Sequence, residues 1–196
     1  MSAVRLAAID LDGTLLRSDG TISPRMRAAA RAAVAAGVEI FLVTARGPRT
    51  VGGIAAELGI RGEAICSNGA IVLDLDSGRI RRMRTIDREV EAVAAVAREL
   101  AGDAVSISLS GPWVVEISPA GVNKASALAE LCEELGIDAG DVIAFGDHLN
   151  DLPMLAWAGR AVAVANAHPD VVEIADELTA TNDEDGVALV LERLSA

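Results

Sequence analysis

Short apolar runs alternate along the chain with longer Ala-rich stretches whose apolar positions recur at helical spacing. Val4 to Ile9 is an apolar run cut off by Asp10 and predicts the first strand. Ser23-Pro24 pairs an N-cap with a proline suited to a first turn, so a helix starts there and ends near Gly37. Val38 to Val43 predicts the second strand, Pro48 opens a helix that Gly59 closes, and Ala64 to Cys66 is a short third strand. Ile71 to Leu75 and Ile80 to Met83 flank an Asp-Ser-Gly turn and predict a hairpin.

The rhythm then changes. Asp87 to Leu100 carries Val90, Val93, Ala97 and Leu100 on one helical face. Val105, Ile107 and Leu109 alternate with Ser106, Ser108 and Ser110, the pattern of a half-buried strand. Gly111-Pro112-Trp113 connects it to a return strand, Val114 to Ser118. With those residues as the loop, Ser110 faces Val114, Leu109 meets Val115, Ser108 faces Glu116, Ile107 meets Ile117 and Ser106 faces Ser118. One face is apolar and packs the helix. The other, with Ser106, Ser108 and Glu116, is expected to look toward a site on the main domain. Afterwards the α/β rhythm resumes: a helix from Lys124 to Leu135, a strand from Val142 to Phe145, a helix near Asp151 to Ala158, a strand from Ala161 to Val164 and a closing helix from Gly186 to Leu194.

The expected fold is therefore α/β, a doubly wound (Rossmann-like) parallel sheet, with residues 1–85 and 119–196 as the core domain and 86–118 as a small α+β cap insert. A length of 196 residues suits one core with a small insert. Aromatics are only 2%, so Ala, Val, Leu and Ile must build the core, and base stacking is disfavoured. A net charge of −12 opposes nucleic acid and anionic membranes. Cys66 and Cys132 lie in apolar contexts without metal-ligand spacing and read as reduced core thiols. The first residues lack a signal pattern, and no apolar stretch is long enough to span a bilayer, so a cytoplasmic protein without membrane or nucleic-acid partners is expected.

Asp10-Leu11-Asp12-Gly13-Thr14 follows an apolar strand, where a parallel sheet presents its carboxyl ends to ligands. Alone, such a pair of acids is equally an acidic loop or an N-cap. Gly146-Asp147-His148-Leu149-Asn150-Asp151 repeats the arrangement after Val142 to Phe145. The strand after the long crossover is expected beside the first, so Asp10, Asp12, Asp147 and Asp151 converge. Such a cluster needs a cation, and an all-oxygen donor set suits Mg²⁺. Thr44 brings a hydroxyl to the same edge. Lys124 is the only lysine in a chain that otherwise uses arginine. A cation is poorly placed in a helix's first turn, which points to a phosphate or carboxylate partner.

These segments, with Thr44-Ala45-Arg46, Ser67-Asn68-Gly69-Ala70 and the tail Asn166-Ala167 to Asn182-x-x-x-Gly186, resemble the haloacid dehalogenase superfamily. The closer likeness is to its Cof-like phosphatases, including small phosphoglycolate and sugar-phosphate phosphatases. The resemblance implies a Mg²⁺-dependent phosphomonoester hydrolase for a small phosphorylated metabolite, with Asp10 as nucleophile and Asp12 as general acid/base. It implies phosphoryl contacts from Thr44 and Lys124, polar substrate contacts from Asn68, Asn150 and Arg46, and metal contacts from Asp10, the Asp12 carbonyl, Asp147 and Asp151. Ala45 replaces a usual glycine, and the cap holds one helix-hairpin unit where most relatives repeat it. A homodimer in which a second copy completes the roof stays open. The rivals are a phosphomutase using the same aspartyl phosphate, a receiver-type signalling module and a non-catalytic phospho-ligand-binding module. Arg79, Arg81, Arg82 and Arg84 read as charges that discourage edge pairing, His148 and His168 carry no assigned task, and replacing Lys124 is expected to cost activity with little change in stability.

Overall fold

The computed structural model describes residues 4–84, 105–109 and 115–195. β1 (Leu6–Ile9) lies at the centre of an eight-stranded sheet and is buried at every position. α1 (Pro24–Ala35) starts where Ser23 Oγ accepts the Met26 N–H at 2.9 Å. β2 (Glu39–Val43), α2 (Pro48–Leu58), β3 (Glu63–Cys66), β4 (Ile71–Asp74) and β5 (Ile80–Met83) follow. After the hairpin β6 (Val105–Leu109) and β7 (Val115–Pro119) come α3 (Lys124–Leu135), β8 (Val142–Gly146), α4 (Leu152–Trp157), β9 (Arg160–Ala163), α5 (Pro169–Ile174), β10 (Glu177–Leu178) and α6 (Gly186–Leu194).

The sheet order is β10-β9-β8-β1-β2-β3-β4-β5, parallel from β10 to β3, with β4 antiparallel to both β3 and β5. Alternate residues of the central strands enter opposite cores. Ala7, Ile9, Ile40, Leu42 and Phe145 pack with α1, α2 and α6, while Leu6, Ala8, Phe41, Val43 and Ala144 pack with α3 and α4. This is the doubly wound sandwich of the α/β class. The chain winds outward from β1 through β2 and β3, then returns to β8 on the other side of β1. Ile9 pairs with Leu42 on one side and Phe145 on the other, so the segments after β1, β2 and β8 emerge together at this switch point.

β6 and β7 form a separate two-stranded sheet with the expected register for Leu109↔Val115, Ser108↔Glu116, Ile107↔Ile117 and Ser106↔Ser118. β6 runs against the 149–151 turn, which places the hairpin over the carboxyl edge of the main sheet. The expected helix Asp87 to Leu100, the Gly111-Pro112-Trp113 loop and the pair Ser110 and Val114 lie outside the described residues, as does the direction of the Ser106, Ser108 and Glu116 face.

Two further corrections concern local structure. α5 and β10 escape the apolar pattern because one has six residues and the other two. His168 is not idle loop surface: its Nδ1 accepts the Asp170 N–H at 3.2 Å and caps α5. Three of the β5 arginines do more than guard an edge. Arg81 pairs with Glu63 and Glu134, Arg82 with Glu130 and Glu134, and Arg84 with Glu130. Glu130 and Glu134 lie four residues apart on one face of α3, so this ladder ties β5 to the helix that carries Lys124. Cys66 and Cys132 are buried free thiols. Among the described residues, no helix is long and apolar enough to cross a membrane.

Candidate active site

Asp10 leaves β1 into an irregular turn, Leu11–Leu15, whose Gly13 has φ +80°. A Cβ on Gly13 would stand 2.4 Å from Asp147 Oδ2, so only glycine lets this turn close on the acid after β8. Thr14 Oγ1 donates to Asp147 Oδ1 at 3.1 Å. The C-terminal tail secures the same turn: Asn166 Nδ2 donates to the Gly13 carbonyl at 2.8 Å, and Asn182 Nδ2 to the Leu16 carbonyl at 2.8 Å. The Asn182 N–H donates in turn to Asn166 Oδ1 at 2.9 Å. The tail motif thus has a positioning task that contacts 153 and 166 residues apart kept out of the sequence reading.

Lys124 opens α3 behind an Asn123–Ser126 capping box and is wholly buried. Its Nζ donates to Asp10 Oδ1 at 2.6 Å and Asp151 Oδ1 at 2.5 Å. Asp151 Oδ2 accepts the backbone N–H groups of Asp147 and His148 at 3.0 and 3.1 Å. Both oxygens of Asp151 are therefore engaged, and it has no exposed surface. Asp10, Asp147 and Asp151 each offer an oxygen within 4.8 Å of the others.

Burial raises Asp10 well above the ordinary carboxylate range, and Asp151 and Asp147 push the same way against the pull of Lys124. Burial, then repulsion from Asp151, pushes Asp147 up to about 6. Burial works against the Lys124 ammonium, but Asp10 and Asp151 together hold its pKa above the usual lysine value. Three clustered acids share one ammonium, so an all-oxygen donor set with surplus negative charge fits a divalent cation.

Asp12 is exposed and bound by Arg46 through Nε–Oδ2 at 2.7 Å and Nη2–Oδ1 at 2.5 Å. Arg46 thus meets the second acid here. Thr44 reaches the edge fully buried, its Oγ1 accepting the Arg46 N–H at 3.1 Å. Asn68 and Asn150 are joined, Asn150 Nδ2 donating to Asn68 Oδ1 at 3.0 Å. Asn68 sits in a left-handed turn with Ser67 and Gly69. A Cβ on Gly69 would fall 2.1 Å from the Asn123 carbonyl oxygen, at φ +97°. Gly69→Ala is expected to reduce unfolding free energy by about 2–4 kcal/mol, measurable by urea denaturation. Wild-type stability would show that the 67–69 turn moves away from α3 freely.

Asp10, Asp12, Ala45, Asp147, His148 and Asn150 line a cavity of about 160 Å³ at the switch point. Thr44, Lys124 and Asp151 stand behind this surface. His148 is the lining residue to which the sequence reading gave no task.

The chain belongs to the haloacid dehalogenase-like hydrolases, whose sequence profile matches residues 7–99 and 87–191. Within them it is a Cof-like phosphatase. It is 30% identical to a 5-amino-6-(5-phospho-D-ribitylamino)uracil phosphatase of Bacillus subtilis, over 94% of this chain and 93% of that protein. It is 29% identical to a phosphoglycolate phosphatase of Methanothermobacter thermautotrophicus, over 97% and 98% of the two chains. A haloacid dehalogenase-like hydrolase structure from Bacteroides thetaiotaomicron superposes with a TM-score of 0.82 and 27% identity, covering 97% of this chain and 99% of that one.

Proposed function

We propose that the protein is a Mg²⁺-dependent phosphomonoester hydrolase for a small phosphorylated metabolite, working through an aspartyl phosphate on Asp10. The observation that carries this reading is the buried Lys124 ammonium, held between Asp10 and Asp151 directly behind the cavity. It offsets the repulsion between the nucleophile and an anionic substrate. Lys124 holds Asp10 Oδ1 and so aims the carboxylate, whose attack on phosphorus breaks the ester P–O bond. Asp12 gives a proton to the leaving oxygen, then takes one from the water that cleaves the aspartyl phosphate, releasing inorganic phosphate and restoring Asp10. A protonated Asp12 has no charge to pair with Arg46, so the guanidinium is released while Asp12 carries the proton and re-engages once it is given up. The Thr44 hydroxyl, accepting from Arg46 N–H, keeps its own hydrogen for a phosphoryl oxygen.

Asp10, Asp147 and the Asp12 carbonyl would hold the Mg²⁺. Asp151, with both oxygens engaged, serves chiefly to fix Lys124 and the 147–151 turn. When bound, Mg²⁺ supplies charge neutralisation for the acids and the phosphoryl oxygens. Residues 86–118 are the cap that covers this cavity.

The test is phosphate release from a panel of phosphorylated metabolites, expected to need Mg²⁺ and to stop with a chelator. Melting curves add a readout independent of turnover. Between the ordinary value of 3.8 and about 6, the folded Asp147 binds a proton that the unfolded chain does not. Stability from this group is therefore lost as pH rises through about 6 in metal-free protein. Metal-free protein is expected to melt higher at pH 5 than at pH 7, and Mg²⁺ to raise Tm more at pH 7. Full turnover in chelator with a Tm indifferent to Mg²⁺ would overturn the metal assignment.

A further inference from the structure

His148 lines the cavity beside Asp10, Asp12 and Asp147, yet no step above uses it. Its backbone is fixed by the N–H bond to Asp151 Oδ2 at 3.1 Å. Its ring stands edge-on to His168, with centroids 6.3 Å apart and planes at 68°. His168 is itself held in place as the cap of α5. The imidazole is therefore fixed by its surroundings. Its Nδ1 is enclosed and has no hydrogen-bond partner. An enclosed N–H without an acceptor costs about 1–3 kcal/mol, and an enclosed lone pair is better tolerated. The surroundings thereby assign the tautomer, with the ring proton on Nε2. With Nδ1 enclosed, Nε2 is the ring nitrogen left to meet a ligand, and it presents a donor.

The phosphoryl oxygens already have Lys124 and Thr44, so this donor falls to the other part of the substrate. Both cations near the cavity are committed to acids, Lys124 to Asp10 and Asp151 and Arg46 to Asp12. With Asp12 and Asp147 also facing the cavity, a leaving group that carries a carboxylate is repelled, and one that carries neutral oxygens is accepted. β6 runs against the 149–151 turn, and the register places Ser106 and Ser108 on one face of the hairpin.

We propose that His148 is a specificity-determining residue that donates its Nε2–H to a hydroxyl or ether oxygen of the leaving group, so that the enzyme selects hydroxyl-bearing phosphate esters. This rests on the hydrolase reading of the Asp10 cavity. The test measures kcat/KM on glycerol 3-phosphate, ribose 5-phosphate, glucose 6-phosphate, 2-phosphoglycolate and phenyl phosphate for the wild type, His148→Leu and His148→Gln. The wild type is expected to prefer at least one hydroxylated ester over phenyl phosphate and 2-phosphoglycolate. In His148→Leu that preference over phenyl phosphate falls about tenfold, the worth of one neutral hydrogen bond. His148→Gln, whose amide N–H reaches the ε position, restores most of it. Should His148→Leu not fold, His148→Asn, with its N–H at the δ position, takes its place with the same expectation. Equal losses on hydroxylated and phenyl esters, or a wild type without the preference, overturn the proposal. A wild type that hydrolyses no ester overturns the hydrolase reading beneath it.

Discussion

Asp10→Asn is expected to lower turnover at least about a thousandfold while leaving the fold intact. An amide is a poor nucleophile toward phosphorus, and no other described acid takes the place of Asp10 at the end of β1. Asp147 is tied to Thr14, and Asp151 is closed off behind the cavity. The fold survives because the Asp10 charge is itself disfavoured, first by burial and then by Asp151 and Asp147. A neutral amide of the same shape removes that repulsion and still accepts from Lys124, which keeps Asp151 as counter-ion at 2.5 Å. Metal-free Asp10→Asn should thus melt no lower than the wild type at pH 7. Phosphate release and melting curves on the same preparation check both halves. Turnover within tenfold of wild type would remove Asp10 from the chemistry, and collapse of the fold would show its charge to be structural.

What the chain revealed in advance was whatever local pattern encodes. Val4 to Ile9 and Val142 to Phe145 are apolar runs that end in acids, and a parallel sheet with a long crossover brings such ends together, as the β1–β8 pairing bears out. The alternation of Val105, Ile107 and Leu109 with serines was enough to set the β6–β7 register. Six-residue α5 and two-residue β10 span too little chain for a period to emerge. Pairings between distant side chains were equally illegible. Nothing in Arg81, Arg82 or Arg84 names Glu130 and Glu134, and nothing in Arg46 names Asp12, 34 residues away. The tail asparagines stood out as a motif, but their task depends on carbonyls of the Asp10 turn. His148 looked redundant because sequence shows neighbours in the chain and not which ring nitrogen is enclosed.

The expectation that replacing Lys124 leaves stability almost unchanged does not survive its burial. A surface ammonium can be removed at little cost, but this one is the shared counter-ion of Asp10 and Asp151, with Asp147 close by. Lys124→Met keeps the length of the side chain and removes its charge, leaving clustered acids uncompensated in a site closed to water. Breaking a buried pair in this way is expected to cost about 3–5 kcal/mol at pH 7. The loss should shrink toward pH 5, because acids already pushed upward take up protons more readily once the ammonium is gone. Lys124→Met/Asp151→Asn should recover part of the stability without recovering turnover, since the repulsion is relieved but the phosphoryl group has lost its partner. Lys124→Arg separates charge from shape. A guanidinium is broader than an ammonium and set for bidentate pairing, and the gap bridged at 2.6 and 2.5 Å admits a compact donor. Turnover is expected to fall at least about a hundredfold in Lys124→Arg, with a smaller loss of stability than in Lys124→Met. Denaturant titrations at pH 5 and pH 7 beside phosphate-release kinetics check each step. Near-normal turnover by Lys124→Arg, or a Lys124→Met protein as stable as the wild type at pH 7, would show that the ammonium neither serves the phosphoryl group nor holds the acids together.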